Sequence, residues 1–166
     1  MKSTYRFALA VAAASWLALA TSQAIAQQLN KQVLGGWTLV SAHNEKDGKK
    51  TEPFGSQPHG YMTFSEDGRF SFQIYGQGMK KFAANERMKA TPDEAQSVVH
   101  NSIAYFGTYK LNDDGTMDWK IEQSTFPNQL GRPAKRQVKI SGDELTLTNP
   151  GATAGGTNIF VWKRAK

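Results

Sequence analysis

The chain has 166 residues, with 20 Lys and Arg against 14 Asp and Glu, three histidines and no cysteine. Without cysteine there is no disulfide framework, no thiol nucleophile and no thiolate metal site, and His43, His59 and His100 are not spaced as a ligand set. The net charge of +6 comes from scattered basic residues and gives no reason to expect a nucleic-acid partner.

At the N-terminus, Lys2 and Arg6 precede an apolar run of 14 residues from Phe7 to Ala20, a short polar patch and Ala24-Ile25-Ala26. This is the order of a secretory signal, with a cut expected after Ala26 and a periplasmic or secreted product. The run is shorter than the roughly 18–20 residues of a spanning helix. No later stretch reads as a transmembrane segment. The mature part, 27–166, carries a net charge of +4 and has the length of one domain.

Short β-branched and aromatic runs separated by turn residues fill the mature part, the pattern of an all-β sandwich or barrel. The first expected strand covers Gly36–His43, the second Gly60–Phe64 and the third Arg69–Tyr75. Between the last two, Asp67-Gly68 suits a hairpin in which Gly68 forms a bulge. That register puts Met62 and Phe64 on the face of Phe70, Phe72 and Ile74.

Gly76–Ala90 is basic and irregular, and reads equally as a lid or as a plain surface excursion. Thr91-Pro92-Asp93-Glu94 then has the form of a helix N-terminus with a capping box. Ala95, Val98, Val99, Ser102 and Ile103 follow at helical spacing and are expected to pack this helix on the barrel.

Five further strands are expected at Tyr105–Leu111, Thr116–Glu122, Lys135–Ile140, Glu144–Asn149 and Asn158–Arg164. The expected architecture is therefore eight antiparallel strands with one helix inserted between strands three and four. A sheet of that width can close into a barrel, whose interior is either filled by side chains or hollow enough for one small ligand. Pairing Met117 with Ile140, Trp119 with Val138 and Ile121 with Arg136 unites the apolar sets. It also sets Asp118 against Lys139 and Glu122 against Lys135 on the outer face. Arg136 then points inward. Three readings of it stay open: satisfaction by a protein carboxylate or carbonyls, anchoring of a polar ligand group, or snorkelling to solvent.

The residues Leu34-Gly35-Gly36-Trp37-Thr38-Leu39, Pro58-His59-Gly60-Tyr61, Asp67-Gly68-Arg69-Phe70 and Thr91-Pro92-Asp93-Glu94-Ala95 carry a resemblance that continues through Tyr105-Phe106-Gly107-Thr108-Tyr109, Phe126-Pro127-Asn128, Gly142-Asp143-Glu144-Leu145 and Val161-Trp162-Lys163-Arg164. In this order they resemble the bacterial and fungal lipocalin-like domain family, a branch of the calycin-type barrels. The resemblance implies an eight-stranded antiparallel calycin barrel and small-molecule binding. It also implies that Trp37 plugs the closed end with a basic side chain of the last strand over its ring, Arg164 first and Lys163 second.

The expected function is the binding of a small hydrophobic molecule in the barrel interior. Met62, Phe64, Phe70, Phe72, Ile74, Met117, Trp119, Ile121, Val138, Leu145 and Leu147 are expected to line that interior. Arg136, Trp119, Phe72, Phe64, Met117, Ile121, Tyr61 and Phe54 are expected to touch the ligand. No phosphate loop, dinucleotide fingerprint, Gly-x-Ser-x-Gly or His-Glu-x-x-His occurs, so no cofactor, metal or catalytic residue is assigned. One alternative is an isomerase, cyclase or hydratase acting on an apolar substrate, which needs an inward acid or base such as Glu52, His59 or Glu122. The other is a filled barrel serving as an envelope interaction module.

Overall fold

A computed structural model describes residues 29–166; the expected signal segment at 1–26 lies outside them. Nine antiparallel strands follow in order: β1 (Gly35–Lys46), β2 (Lys49–Thr51), β3 (His59–Phe64), β4 (Arg69–Tyr75), β5 (Ser102–Leu111), β6 (Thr116–Ser124), β7 (Ala134–Ser141), β8 (Glu144–Asn149) and β9 (Thr157–Arg164). Helix α1 covers Pro92–Asn101. Each barrel strand pairs with its sequence neighbour, and β9 returns to β1 from Trp37↔Arg164 to Glu45↔Thr157, so eight strands close the barrel. The ninth, β2, is a short ribbon on the far half of β1. Counting it moves α1 to the gap between β4 and β5.

Alternation produces the core. Phe70, Phe72 and Ile74 on β4, Met117, Trp119 and Ile121 on β6, Leu145 and Leu147 on β8, and Phe160 and Trp162 on β9 are all buried. The hairpin pairs Phe64 with Phe70 and Met62 with Phe72, and Gly68 has φ +78° within the left-handed region. This is the bulged register that the Asp-Gly pair predicts. On β1 a bulge between Leu39 and Ser41 changes parity, so Trp37 and Leu39 point inward before it and Ala42 and Asn44 after it.

One expected register is corrected. β6 and β7 pair Met117 with Arg136, Asp118 with Lys135 and Trp119 with Ala134, four residues from the pairing read off the sequence. A shift of four keeps the face of every side chain, so Arg136 still points inward. The outer ion pairs change: Asp118 meets Lys135 at 3.8 Å, and Glu122 meets Arg69 of β4 at 2.8 Å. Beyond Trp119, β6 has no pairing with β7, and residues 125–133 bridge the gap.

The surroundings of α1 also differ from expectation. The Thr91 hydroxyl accepts from the Glu94 amide and the Glu94 carboxylate accepts from the Thr91 amide, completing the capping box. The helix stops at Asn101, however, and Ser102 and Ile103 open β5. Ala95 and Val99 are exposed. An apolar stripe of this length is too narrow to seat the helix flat on the barrel. Instead α1 is held by the preceding segment: the Glu94 carboxylate also accepts from the Ala83 amide at 2.8 Å, and the Ser97 hydroxyl accepts from the Lys80 amide at 3.0 Å. Residues 76–90 thus wrap the helix from outside.

Candidate ligand cavity

The two ends of the barrel are built differently. At the lower end, a helical turn at 29–33 brings Val33 under the barrel, where its carbonyl accepts from the Trp37 indole at 2.8 Å. Arg164 lies over the Trp37 ring at 4.3 Å and donates to the carbonyls of Leu34 and Gln32 at 3.0 and 2.7 Å. Above this plug the barrel is solid. Phe64, Phe70 and Trp119 pack within 6.4 Å of one another, with Met62, Met117, Leu145 and Trp162 fully enclosed.

The upper half is hollow. A cavity of about 760 Å³ opens at the rim where β4 ends and β5 begins. Phe72 and Tyr105, stacked at 4.7 Å, contribute to its floor. Ile121, Ile103, Phe160 and Ala134 form walls, while Phe54, Val99, Phe126 and Pro150 stand at the mouth. The gap left by the shifted β7 explains the opening: 125–133 cross above it without closing it.

Among the charged residues that line this space, Arg136 is the buried one. It is 95% buried and lies 5.1 Å from the centre of the Trp119 ring. Its Nη1 donates to the Lys135 carbonyl at 3.0 Å and to Asn149 Oδ1 at 2.9 Å. Its Nε is enclosed with no partner among the described residues. No carboxylate among the described residues forms an ion pair with it, and the cavity wall contains Arg132, Lys135 and Arg136 but no Asp or Glu. Burial pushes the Tyr105 hydroxyl up from its ordinary pKa, opposed by the positive charge of the adjacent Arg136.

Of the residues expected to touch a ligand, Arg136, Phe72, Ile121 and Phe54 border the cavity. Trp119, Phe64 and Met117 belong to the packed lower half beneath it. Tyr61 is a correction. With Met62 turned inward, alternation turns Tyr61 outward, where it is half exposed and its ring covers Gly36 on the neighbouring strand. Val138, expected in the interior, is only partly buried. Sequence reasoning missed Tyr105, Asn149 and Phe160. Tyr105 and Phe160 were within reach of the alternation in their strands; Asn149, at a strand end before a proline, gave no signal.

The acids and bases required by the enzymatic alternative lie elsewhere. Glu52 and His59 are exposed, and Glu122 is engaged with Arg69 on the outer face. Among the described residues no His, Asp and Glu group is placed to hold a metal ion, and no helix is long and apolar enough to cross a membrane.

A closed antiparallel barrel, plugged by tryptophan at one end and hollow at the other, defines a container of the calycin type. The model of the lipocalin-like domain family matches residues 34–165, and the chain belongs to that family. A curated relative is the 4'-hydroxy-3'-methoxypropiophenone carrier protein ppsC of Aspergillus oryzae. It is 24% identical over 105 residues, covering 57% of this chain and 95% of the relative.

Proposed function

We propose that this protein is exported, with its signal segment cut after Ala26, and that it carries a small hydrophobic molecule in the upper half of the barrel. The observation that carries this reading is the cavity of about 760 Å³ under an open rim. Its volume falls within the roughly 300–1,000 Å³ of small-molecule sites, and its walls have the apolar and aromatic character of such sites. Burial in that space gives about 25 cal/mol for each Å² of apolar ligand surface removed from water. The relative from Aspergillus oryzae supports the same reading, being named as the carrier of an aromatic ketone. Aromatic cargo suits a floor built from Phe72 and Tyr105.

Native mass spectrometry of protein purified from the cell envelope or culture medium tests both parts. The expected spectrum has a polypeptide mass beginning at Gln27 and a retained small molecule lost on activation. An intact N-terminus would overturn the export reading. Protein without cargo that also fails to bind a broad panel of aromatics and lipids would overturn the carrier reading.

A further inference from the structure

We propose that the cargo is an amphipathic organic anion, apolar over most of its surface, whose anionic oxygen group is held by Arg136 with help from Tyr105. This rests on the carrier reading above and gives it a chemical class. Three observations converge on it. First, Arg136 is a guanidinium cation, 95% buried, and without a carboxylate partner among the described residues. A buried charge in that state is costly unless an opposite charge or water reaches it.

Second, the protein satisfies only part of the guanidinium. Nη1 is used by the Lys135 carbonyl and Asn149 Oδ1, whereas Nη2 has no protein acceptor among the described residues. The Lys135 and Asn149 contacts, with Trp119 against the planar group, fix its orientation before any ligand arrives. Third, the Tyr105 hydroxyl lies on the cavity wall beside the same guanidinium, within its charge and hydrogen-bonding reach. A carboxylate, phenolate or sulfonate oxygen between them would accept a charge-assisted hydrogen bond from Arg136 and a second bond from Tyr105. The apolar remainder would extend past Ile121 and Phe160 towards Phe54 at the mouth. An acidic residue anywhere in this wall would repel such a ligand, and the wall has none.

The test compares two fluorescent probes that differ by one group: 1-anilinonaphthalene-8-sulfonate, an anion, and neutral N-phenyl-1-naphthylamine. The wild type is expected to bind the anion about ten- to a hundred-fold more tightly, the span of one or two charge-assisted hydrogen bonds. Arg136→Met should remove that preference while leaving the neutral probe within about threefold, the scatter expected of a volume-conserving swap. Tyr105→Phe should reduce the preference by less, on the order of a single neutral hydrogen bond.

The rim is tested by the double variant Arg132→Gln/Lys135→Gln, which should keep the preference for the anion. Its loss there would move the anchor to the surface and overturn the assignment to Arg136. Equal wild-type affinity for the two probes, or a parallel loss of both in Arg136→Met, would overturn the anionic cargo and leave the apolar carrier standing. A wild type that binds neither probe would overturn both. Should Arg136→Met unfold, the wild-type comparison and Tyr105→Phe still decide.

Discussion

Two arginines lie over tryptophans at opposite ends of this barrel, and their surroundings give them opposite roles. Arg164 is satisfied: two carbonyls accept its hydrogens, Trp37 lies under its plane and Asp143 stands 3.7 Å away. Arg136 has the same stacking partner type, a deeper burial and no counter-charge among the described residues. Unfolding by urea should separate them. Arg164→Met is expected to cost about 1–3 kcal/mol, through the loss of its hydrogen bonds and cation–π stacking. Arg136→Met is expected to fall within about 1 kcal/mol of wild type, because relief from an uncompensated buried charge offsets the two hydrogen bonds and the stacking on Trp119 that go with it. A much larger destabilisation at Arg136 than at Arg164 would mean that Arg136 holds the fold together. A third residue, Gly107, is required for backbone approach: a Cβ there would fall onto the carbonyl of Lys120, across the β5–β6 bulge. Gly107→Ala should therefore lose at least about 2 kcal/mol in the same measurement, an overpacking that backbone cannot relieve.

At the scale of elements, α1 and residues 76–90 form a unit joined through the Glu94 carboxylate, the Ser97–Lys80 bond and the Lys80–Asp93 ion pair. Glu94 accepts from the amides of Ala83 and Thr91, and these bonds hold its pKa below the ordinary value. A free glutamate titrates near 4.3, so a depressed folded value means stability present above that pH and lost as the pH falls through the folded value. Hydrogen exchange should report this as selective loss of protection at Ala83 and in the first turn of α1 below about pH 4. Glu94→Ala should produce the same opening at neutral pH with the barrel strands still protected. If exchange in the strands rises in step, the unit is not independent.

The sequence made this capping legible because a capping box is local: four consecutive residues contain it. Strand parity was legible for the same reason. The β6–β7 register was not, since Asp118 and Glu122 stand four apart and so do Lys135 and Lys139. Two registers therefore satisfy Asp118 and preserve both faces, and barrel closure chooses between them through the stagger of all eight strands. Nor was the helix boundary legible, because Ser102 and Ile103 continue the helical spacing while the pairing of Ile103 with Ile74 takes them into the sheet. Arg136 was found through parity; its missing partner belongs to the tertiary structure and could not be read beforehand.

At the scale of the whole molecule, solid packing and open volume occupy different halves of one barrel. The lower half has the enclosed Trp37, Met62, Met117 and Trp162 around an aromatic cluster, whereas the upper half keeps its volume open above Phe72 and Tyr105. Substitutions in the two halves should then separate stability from affinity. Met62→Ala leaves a hole in a dry, fully buried site and should cost about 2–5 kcal/mol. Measured well below its midpoint of unfolding, it should bind N-phenyl-1-naphthylamine with wild-type affinity. Ala134→Phe does the reverse. Ala134 lines the cavity and pairs with Trp119 across the ladder, so a phenyl ring at that position projects into the cavity volume. Its thermal midpoint should stay within a few degrees of wild type or rise, because the ring buries apolar surface at about 25 cal/mol per Å². Its affinity for the neutral probe should fall at least about tenfold, since the ring takes up volume that the probe needs. Ligand linkage supplies the second readout: probe at a hundred times its Kd should stabilise the wild type by about 2.7 kcal/mol and Ala134→Phe, at the same concentration, by much less. If Ala134→Phe instead unfolds the protein while Met62→Ala abolishes binding, the hollow and the packed halves have been assigned the wrong way round.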